Sequence, residues 1–260
     1  MPEIPELIVI AKTLQKHFKD EKVKKIEFQW TKRLNANEDE FTEALKGAEL
    51  KSVDRDGKEI HLHFDNGNVL GIHLMLTGKM YLLPTEENIN KPIFNIVFSN
   101  GGGIAVSDII GQAKPILNPP LGKVPDILSK DFTLDYLKSI LSKSSSPIKT
   151  IMTDQKKIKG IGNAYVDEIL WDVKISPFTP SKKIPEDKIK ELYEAVPKIT
   201  KAAYNAIEKR NDPKDVFAMN NKDHRFVHNS KLTKTPDGEE IIVGKVGSAK
   251  TYYTKSQILY

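Results

Sequence analysis

Seven short apolar or alternating runs crowd into residues 23–107, at 23–30, 49–53, 59–64, 69–74, 79–83, 93–98 and 103–107. Turn formers part them at Asp56-Gly57, Asp65-Asn66-Gly67 and Asn100-Gly101-Gly102. Strands spaced this closely predict an antiparallel sandwich or barrel. Apolar positions at helical spacing over residues 6–18 predict one helix ahead of them. Residues 114–125 (KPILNPPLGKVP) then carry four prolines and read as an interdomain linker. Beyond them the pattern turns helical. Helices are expected over 133–143, 148–155, 163–173 and 186–209, with a basic, glycine-marked turn, KKIKGIG, at 156–162. The last forty residues are polar and strand-like, with Pro236-Asp237-Gly238 as the expected hairpin turn.

Composition narrows the function classes. The chain has 260 residues, enough for one large domain or two smaller ones. No run approaches the roughly 18 apolar residues of a membrane span, so no membrane partner is expected. The start lacks a basic segment followed by an apolar one, which predicts no secretory signal. There is no cysteine, so disulfides and cysteine-ligated zinc are excluded. A cytoplasmic location is expected. Lys plus Arg exceed Asp plus Glu by 40 to 35, and the pI near 9.0 suits a polyanionic partner.

Chemistry concentrates at the first six residues, Met1-Pro2-Glu3-Ile4-Pro5-Glu6. Removal of Met1 makes Pro2 the N-terminus. An α-amino group titrates near pH 7.7–8.0, about two and a half units below lysine, so a useful share is free base at neutral pH. An amine that attacks carbon, beside the Glu3 carboxyl that protonates a leaving oxygen, is a plausible imine-forming pair. The same hexapeptide also reads as a proline-rich leader or a capped first helix. The helix that follows would hold Glu3 and Glu6 at its positive end. In the glycine turn, Lys-Gly-Ile-Gly-Asn can aim backbone amides and Asn163 at a phosphate, or can simply be a tight corner between helices.

Taken together and in order, these segments resemble the formamidopyrimidine-DNA glycosylase/endonuclease VIII family of base-excision repair enzymes. Met1–Glu6 is similar to that family's Met-Pro-Glu-Leu-Pro-Glu start, and Asp56-Gly57-Lys58 to its Arg-Gly-Lys. His73-Leu74-Met75-Leu76-Thr77-Gly78 resembles its His-Leu-Gly-Met-Ser-Gly. Leu121-Gly122 with Leu128-Ser129-Lys130-Asp131-Phe132-Thr133 resembles its interdomain stretch. Ile148-Lys149, Asp154-Gln155 and Gly160-Ile161-Gly162-Asn163-Ala164-Tyr165-Val166-Asp167-Glu168 resemble its helix–two-turn–helix core.

The resemblance implies an α+β multidomain fold: an N-terminal β-sandwich with a leading helix (1–118), a linker (119–130), a helix–two-turn–helix domain (131–220) and a terminal β-hairpin (221–260). It implies a monomer working on damaged double-stranded DNA, without cofactor, at the nucleoid or, in a eukaryote, in the nucleus. Pro2 would attack C1′ and form a Schiff base, Glu3 would protonate the sugar ring oxygen, and Lys58 would hold a phosphate and support catalysis. Glu6 would belong to the lesion pocket. Lys149 and Asn163 would grip the DNA backbone, and Leu76 would take the place of a methionine wedge. Strand cleavage would proceed by β,δ-elimination. With no cysteine the terminal hairpin resembles the zincless-finger subset, its strands expected around 235–238 and 243–257. Lys250, with Lys245 as rival, would stand where the family has a finger arginine.

The family's remaining wedge residues, an arginine and a phenylalanine, have no counterpart in Asp108-Ile109-Ile110-Gly111-Gln112-Ala113. That departure motivates an alternative: a relative that binds damaged or abasic DNA without excising bases. Composition alone also admits a basic RNA-binding protein.

Overall fold

The structure is a computed structural model, and it describes residues 2–120, 122–210, 217 and 222–260. Met1, Leu121 and the expected boundary at 220/221 lie outside the described residues. The chain divides into two compact units. Among described residues the first holds 2, 6–120 and 217, and the second holds 3–5, 122–210 and 222–260.

The first unit is a β-sandwich. It takes residues 6–18 of α1 (Ile4–Phe18), whose Leu7, Ile10, Leu14 and Phe18 recur at helical spacing and are all buried. One sheet has the order β1-β6-β7-β5, from Val23–Phe28, Pro92–Phe98, Gly103–Ser107 and Lys79–Leu83. The other runs β2-β3-β4-β8, from Leu50–Asp56, Glu59–Phe64, Val69–His73 and Lys114–Leu117. Every pairing is antiparallel. Alternation fixes which face turns inward: in β3, Ile60, Leu62 and Phe64 enter the core while His61 and His63 take the other face. Phe18 stacks on Phe98 and Phe28 meets Phe41 edge-on, which ties α1 and α2 (Glu38–Leu45) to the first sheet.

Two elements here depart from the sequence reading. Helix α2 was not anticipated, because only Phe41 and Leu45 mark its buried face. Asn37 caps it, accepting from Glu40 N while Glu40 accepts from Asn37 N. The proline-rich stretch is no linker at its start, since Lys114–Leu117 pairs with β4 as β8. Pro115 is tolerated there because β8 is an edge strand with one bonded side.

The second unit is helical with a β-hairpin. Its helices are α3 (Leu134–Leu141), α4 (Ile148–Thr153), α5 (Asn163–Asp172) and α6 (Glu186–Arg210). Gln155 orders the turn between α4 and α5. Its side-chain amide donates to Thr153 O and Ile161 O, and its oxygen accepts from Gly160 N. Pro125 O and Ile127 N bond Lys159 of that turn, so this part of the 119–130 segment is pinned to it. The hairpin is β9 (Ile242–Val246) and β10 (Ala249–Tyr253). Its turn is Gly247-Ser248, not Pro236-Asp237-Gly238, with Gly247 at φ +58° in the first turn position. Pro236-Asp237-Gly238 does turn the chain, but it is flanked only by the isolated Lys234–Glu240 bridge. Among the described residues no helix is long and apolar enough to cross a membrane.

Candidate active site and nucleic-acid interface

Helix α5 has Gly162 as its N-cap, which has no side chain to cap it. The free amides of its first turn therefore need an acceptor from elsewhere. Glu3 supplies it: Ala164 N donates to Oε1 at 3.0 Å and Tyr165 N to Oε2 at 3.3 Å. The carboxylate thus sits on the positive end of α5, as well as directly ahead of its own helix α1.

The two glycines of the turn explain the approach. A Cβ on Gly162 would fall on the Glu3 carboxyl group, and one on Gly160 would fall on Cδ1 of Ile4. Gly160 also lies at φ +106°, where other residues are strained. The sequence reading aimed this turn at a phosphate. In the structure its second and third helical amides are taken by Glu3, and its glycines admit the chain's own N-terminal segment. Asn163, at the first helical position, is exposed.

Pro2, which precedes Glu3, is buried, and so is Glu6 in the first turn of α1. In the first unit Lys58 is the second residue of the two-residue turn between β2 and β3, after Gly57 at φ +59°. It is half-buried. Leu76 stands at the tip of the β4–β5 turn, 58% exposed. That turn is firmly built: Gly78 N donates to Leu74 O, and Met75 N donates to His73 Nδ1. Thr77 Oγ1 donates to Asp108, which links the Leu76 tip to the 108–113 loop.

Asp108 organises that second loop. Its buried carboxylate accepts from Ile110 N, Gln112 N and Ala113 N. Burial would raise its pKa, yet the Thr77 hydroxyl and these amides outweigh it and hold the carboxyl below its ordinary value. The loop presents Ile109 and Ile110 at 56% and 51% exposure. They line a cavity of about 430 Å³ with Trp30, Lys91 and Pro92.

In the second unit Lys149 departs from the expected backbone contact. It is 1% exposed, and its ammonium donates to Asp167 Oδ1 at 2.7 Å and to Lys250 O at 3.0 Å. Burial pulls it below the usual lysine range, against the attraction of Asp167 and Glu3. With its donors turned inward, Lys149 ties helix to hairpin. Asp167 is the hub, since its Oδ2 also accepts from His228 Nδ1 at 2.7 Å and Tyr252 N at 2.9 Å. The adjacent Glu168 accepts from the amides of Phe226, Val227 and His228, and burial pushes its carboxyl up. Sequence reasoning gave neither acid a role; two consecutive acids on a buried stretch of helix were the available signal.

Lys250 and Lys245 are direct cross-strand partners, both exposed. They form a pair of like charges on one face of the hairpin. Such a pair is unfavourable by itself and is relieved by an anion. Lys250 Nζ also lies 4.9 Å from the Tyr252 ring centre. His224 and His228, four apart in sequence, have separate partners: Tyr165 Oη for the first and Asp167 for the second.

A sandwich behind a leading helix, joined in sequence to a helix–two-turn–helix unit and a cysteine-free hairpin, is an architecture of DNA glycosylases. Residues 1–110 match the family model of the formamidopyrimidine-DNA glycosylase N-terminal domain, and residues 121–212 match that of the formamidopyrimidine-DNA glycosylase H2TH domain. The chain belongs to the formamidopyrimidine-DNA glycosylase family. The formamidopyrimidine-DNA glycosylase of Lactobacillus johnsonii is 32% identical over 205 residues, 74% of either chain. That of Carboxydothermus hydrogenoformans is also 32% identical, over 76% of each. The fold matches Lactococcus lactis Fpg in complex with abasic-site DNA at a TM-score of 0.85, covering 97% of this chain and 98% of that one at 22% identity.

Proposed function

We propose that this protein is a bifunctional DNA glycosylase and AP lyase that removes oxidised bases from double-stranded DNA through a Schiff base on Pro2. The observation that carries the reading is the Glu3 carboxylate, held by the Ala164 and Tyr165 amides one residue after the proline. Two fixed donors orient an acid group next to a nucleophile, which is what proton transfer to a leaving oxygen needs. Relatives named formamidopyrimidine-DNA glycosylase, and a like-folded Lactococcus lactis protein bound to abasic DNA, support the substrate class.

The chemistry runs as follows once Met1 is gone. The Pro2 nitrogen lone pair attacks C1′, the N-glycosidic bond breaks and its electrons leave with the base, and the proton shed by the new tertiary nitrogen goes to the base. The sugar C1′–O4′ bond opens as Glu3 gives O4′ a proton, and the nitrogen pair closes an iminium. Loss of a C2′ proton expels the 3′ phosphate, a second elimination expels the 5′ phosphate, and water releases the free proline. The target nucleotide must leave the stack for C1′ to be reached. Leu76, Ile109 and Ile110 supply an apolar wedge for the vacated space. Lys58, Asn163 and the Lys245–Lys250 pair supply phosphate contacts, with affinity that falls as salt rises. Glu6 belongs to the lesion pocket, the protein works as a monomer, and the hairpin needs no zinc.

The second reading, lesion binding without excision, rests on the Ile109-Ile110 tip, which offers no hydrogen-bond donor side chain to an orphaned base. Borohydride trapping separates the two. Methionine-free protein on an abasic or 8-oxoguanine duplex is expected to give a covalent adduct at Pro2. The adduct should vanish in Pro2→Gly and fall in Glu3→Gln. Tight lesion binding with neither adduct nor nick would favour the second reading instead.

A further inference from the structure

The outer face of the β2–β3 hairpin carries a row of side chains that the proposed chemistry does not use. Register places Asp54 opposite His61, Ser52 opposite His63 and Asp56 opposite Glu59. Asp54, His61 and His63 each offer one donor atom, and these atoms lie within 4.8 Å of one another. Asp54 Oδ1 and His63 Nε2 are 3.0 Å apart, a hydrogen bond whose ring proton a bound metal would displace. Four ligands at bond lengths of about 2.0–2.1 Å around zinc stand roughly 3.3 Å from each other, so this pair already has ligand spacing. The other two separations are each within 4.8 Å, so bringing either to ligand spacing asks for a movement of at most about 1.5 Å by the same arithmetic.

His61 is held as a metal-binding histidine is held. Its Nε2 lies 2.8 Å from Glu59 Oε1; a carboxylate only accepts, so the ring nitrogen donates and Nδ1 keeps the lone pair of the neutral ring. Space for that carboxylate is built in. Gly71, the β4 partner of His61, would place a Cβ 2.6 Å from Glu59 Oε1. The buried His61 is thus fixed, while the half-exposed His63 and exposed Asp54 leave an open side for water.

We propose that Asp54, His61 and His63 bind a divalent ion of the zinc class, with Glu59 positioning His61. Two imidazoles and a carboxylate suit Zn²⁺ and the neighbouring Ni²⁺ and Cu²⁺ over Mg²⁺ or Ca²⁺. The bound ion clamps edge strand β2 to β3 just behind the Lys58 turn. It requires no cysteine and is separate from the hairpin at the other end of the sequence.

The test is titration calorimetry of the EDTA-treated full chain with ZnCl₂, alongside thermal melting. One equivalent should bind and raise Tm. Asp54→Asn and His63→Ala, both on exposed or half-exposed positions, should each lose the Tm rise and weaken binding more than tenfold. Glu59→Gln should weaken it about 10–100-fold through the misoriented ring. His17→Ala, an exposed histidine on α1, should bind as the unaltered chain does. No uptake by the unaltered chain, equal uptake by His63→Ala, or loss in His17→Ala would each overturn the site. MgCl₂ matching ZnCl₂ in affinity would overturn the assignment to a transition ion.

Discussion

The sandwich of the first unit and the hairpin of the second are both antiparallel β-structure, but different forces hold them. Sandwich strands lock through aliphatic and aromatic side chains such as Ile60, Leu62, Phe94 and Ile104, all fully buried. The hairpin has two short strands, too few to stand alone in water. It is fastened at Tyr252 N and Lys250 O by the Asp167–Lys149 pair. The helical unit therefore uses buried charge where the sandwich uses apolar area. A chain without cysteine has no thiolates with which to fasten a hairpin through zinc, and the acids of α5 fasten this one through hydrogen bonds instead.

The largest break in that contrast is expected from Asp167→Asn. It leaves the Lys149 ammonium buried without its counter-charge, a loss of about 3–5 kcal/mol. Urea unfolding should report it, and amide exchange should quicken first over residues 242–253 while residues 59–64 stay protected. Leu62→Ala should do the reverse. It opens a cavity in the sandwich worth about 2–5 kcal/mol by thermal melting, with exchange rising over 59–64.

A third test uses acid. Burial, then the Arg225 and Arg210 charges, push His224 from 6.5 down to about 4. The unfolded chain therefore takes up a proton between those values that the folded chain refuses. The His224 contribution should be complete above pH 6.5 and be lost, on the order of 1–3 kcal/mol, as pH falls towards 4. His224→Gln should flatten that slope, whereas Leu62→Ala should leave it unchanged. The smallest effect is Asn37→Ala, which removes the α2 cap and should cost about 1 kcal/mol by thermal melting, whatever the pH.

The same contrast explains what could be read in advance. Strands at 59–64, 79–83 and 103–107 have the expected bounds because alternation and turn residues announce them. The α+β class, the helices around the glycine turn and the family were legible for the same reason: apolar period and ordered motifs are local. Helix α2 was missed although Asn37 and Glu40 spell a capping box. The hairpin turn was misplaced because Pro236-Asp237-Gly238 is the stronger local signal, while register is set by the pairing of Val246 with Ala249. The resemblance gave Lys149 a DNA-backbone contact, and nothing near it in sequence reveals Asp167, 18 residues on. Buried polar partners are long-range facts, and periodicity does not carry them.

The seat of Glu3 on α5 has an inheritance consequence. The acid and the amides that hold it are 161 and 162 residues apart in the chain, and Gly162 is what keeps the seat open. A chimaera that took its opening residues from one relative and its glycine turn from another would have to bring both halves of that fit. The beginning and the middle of this gene are, in that respect, a single heritable part.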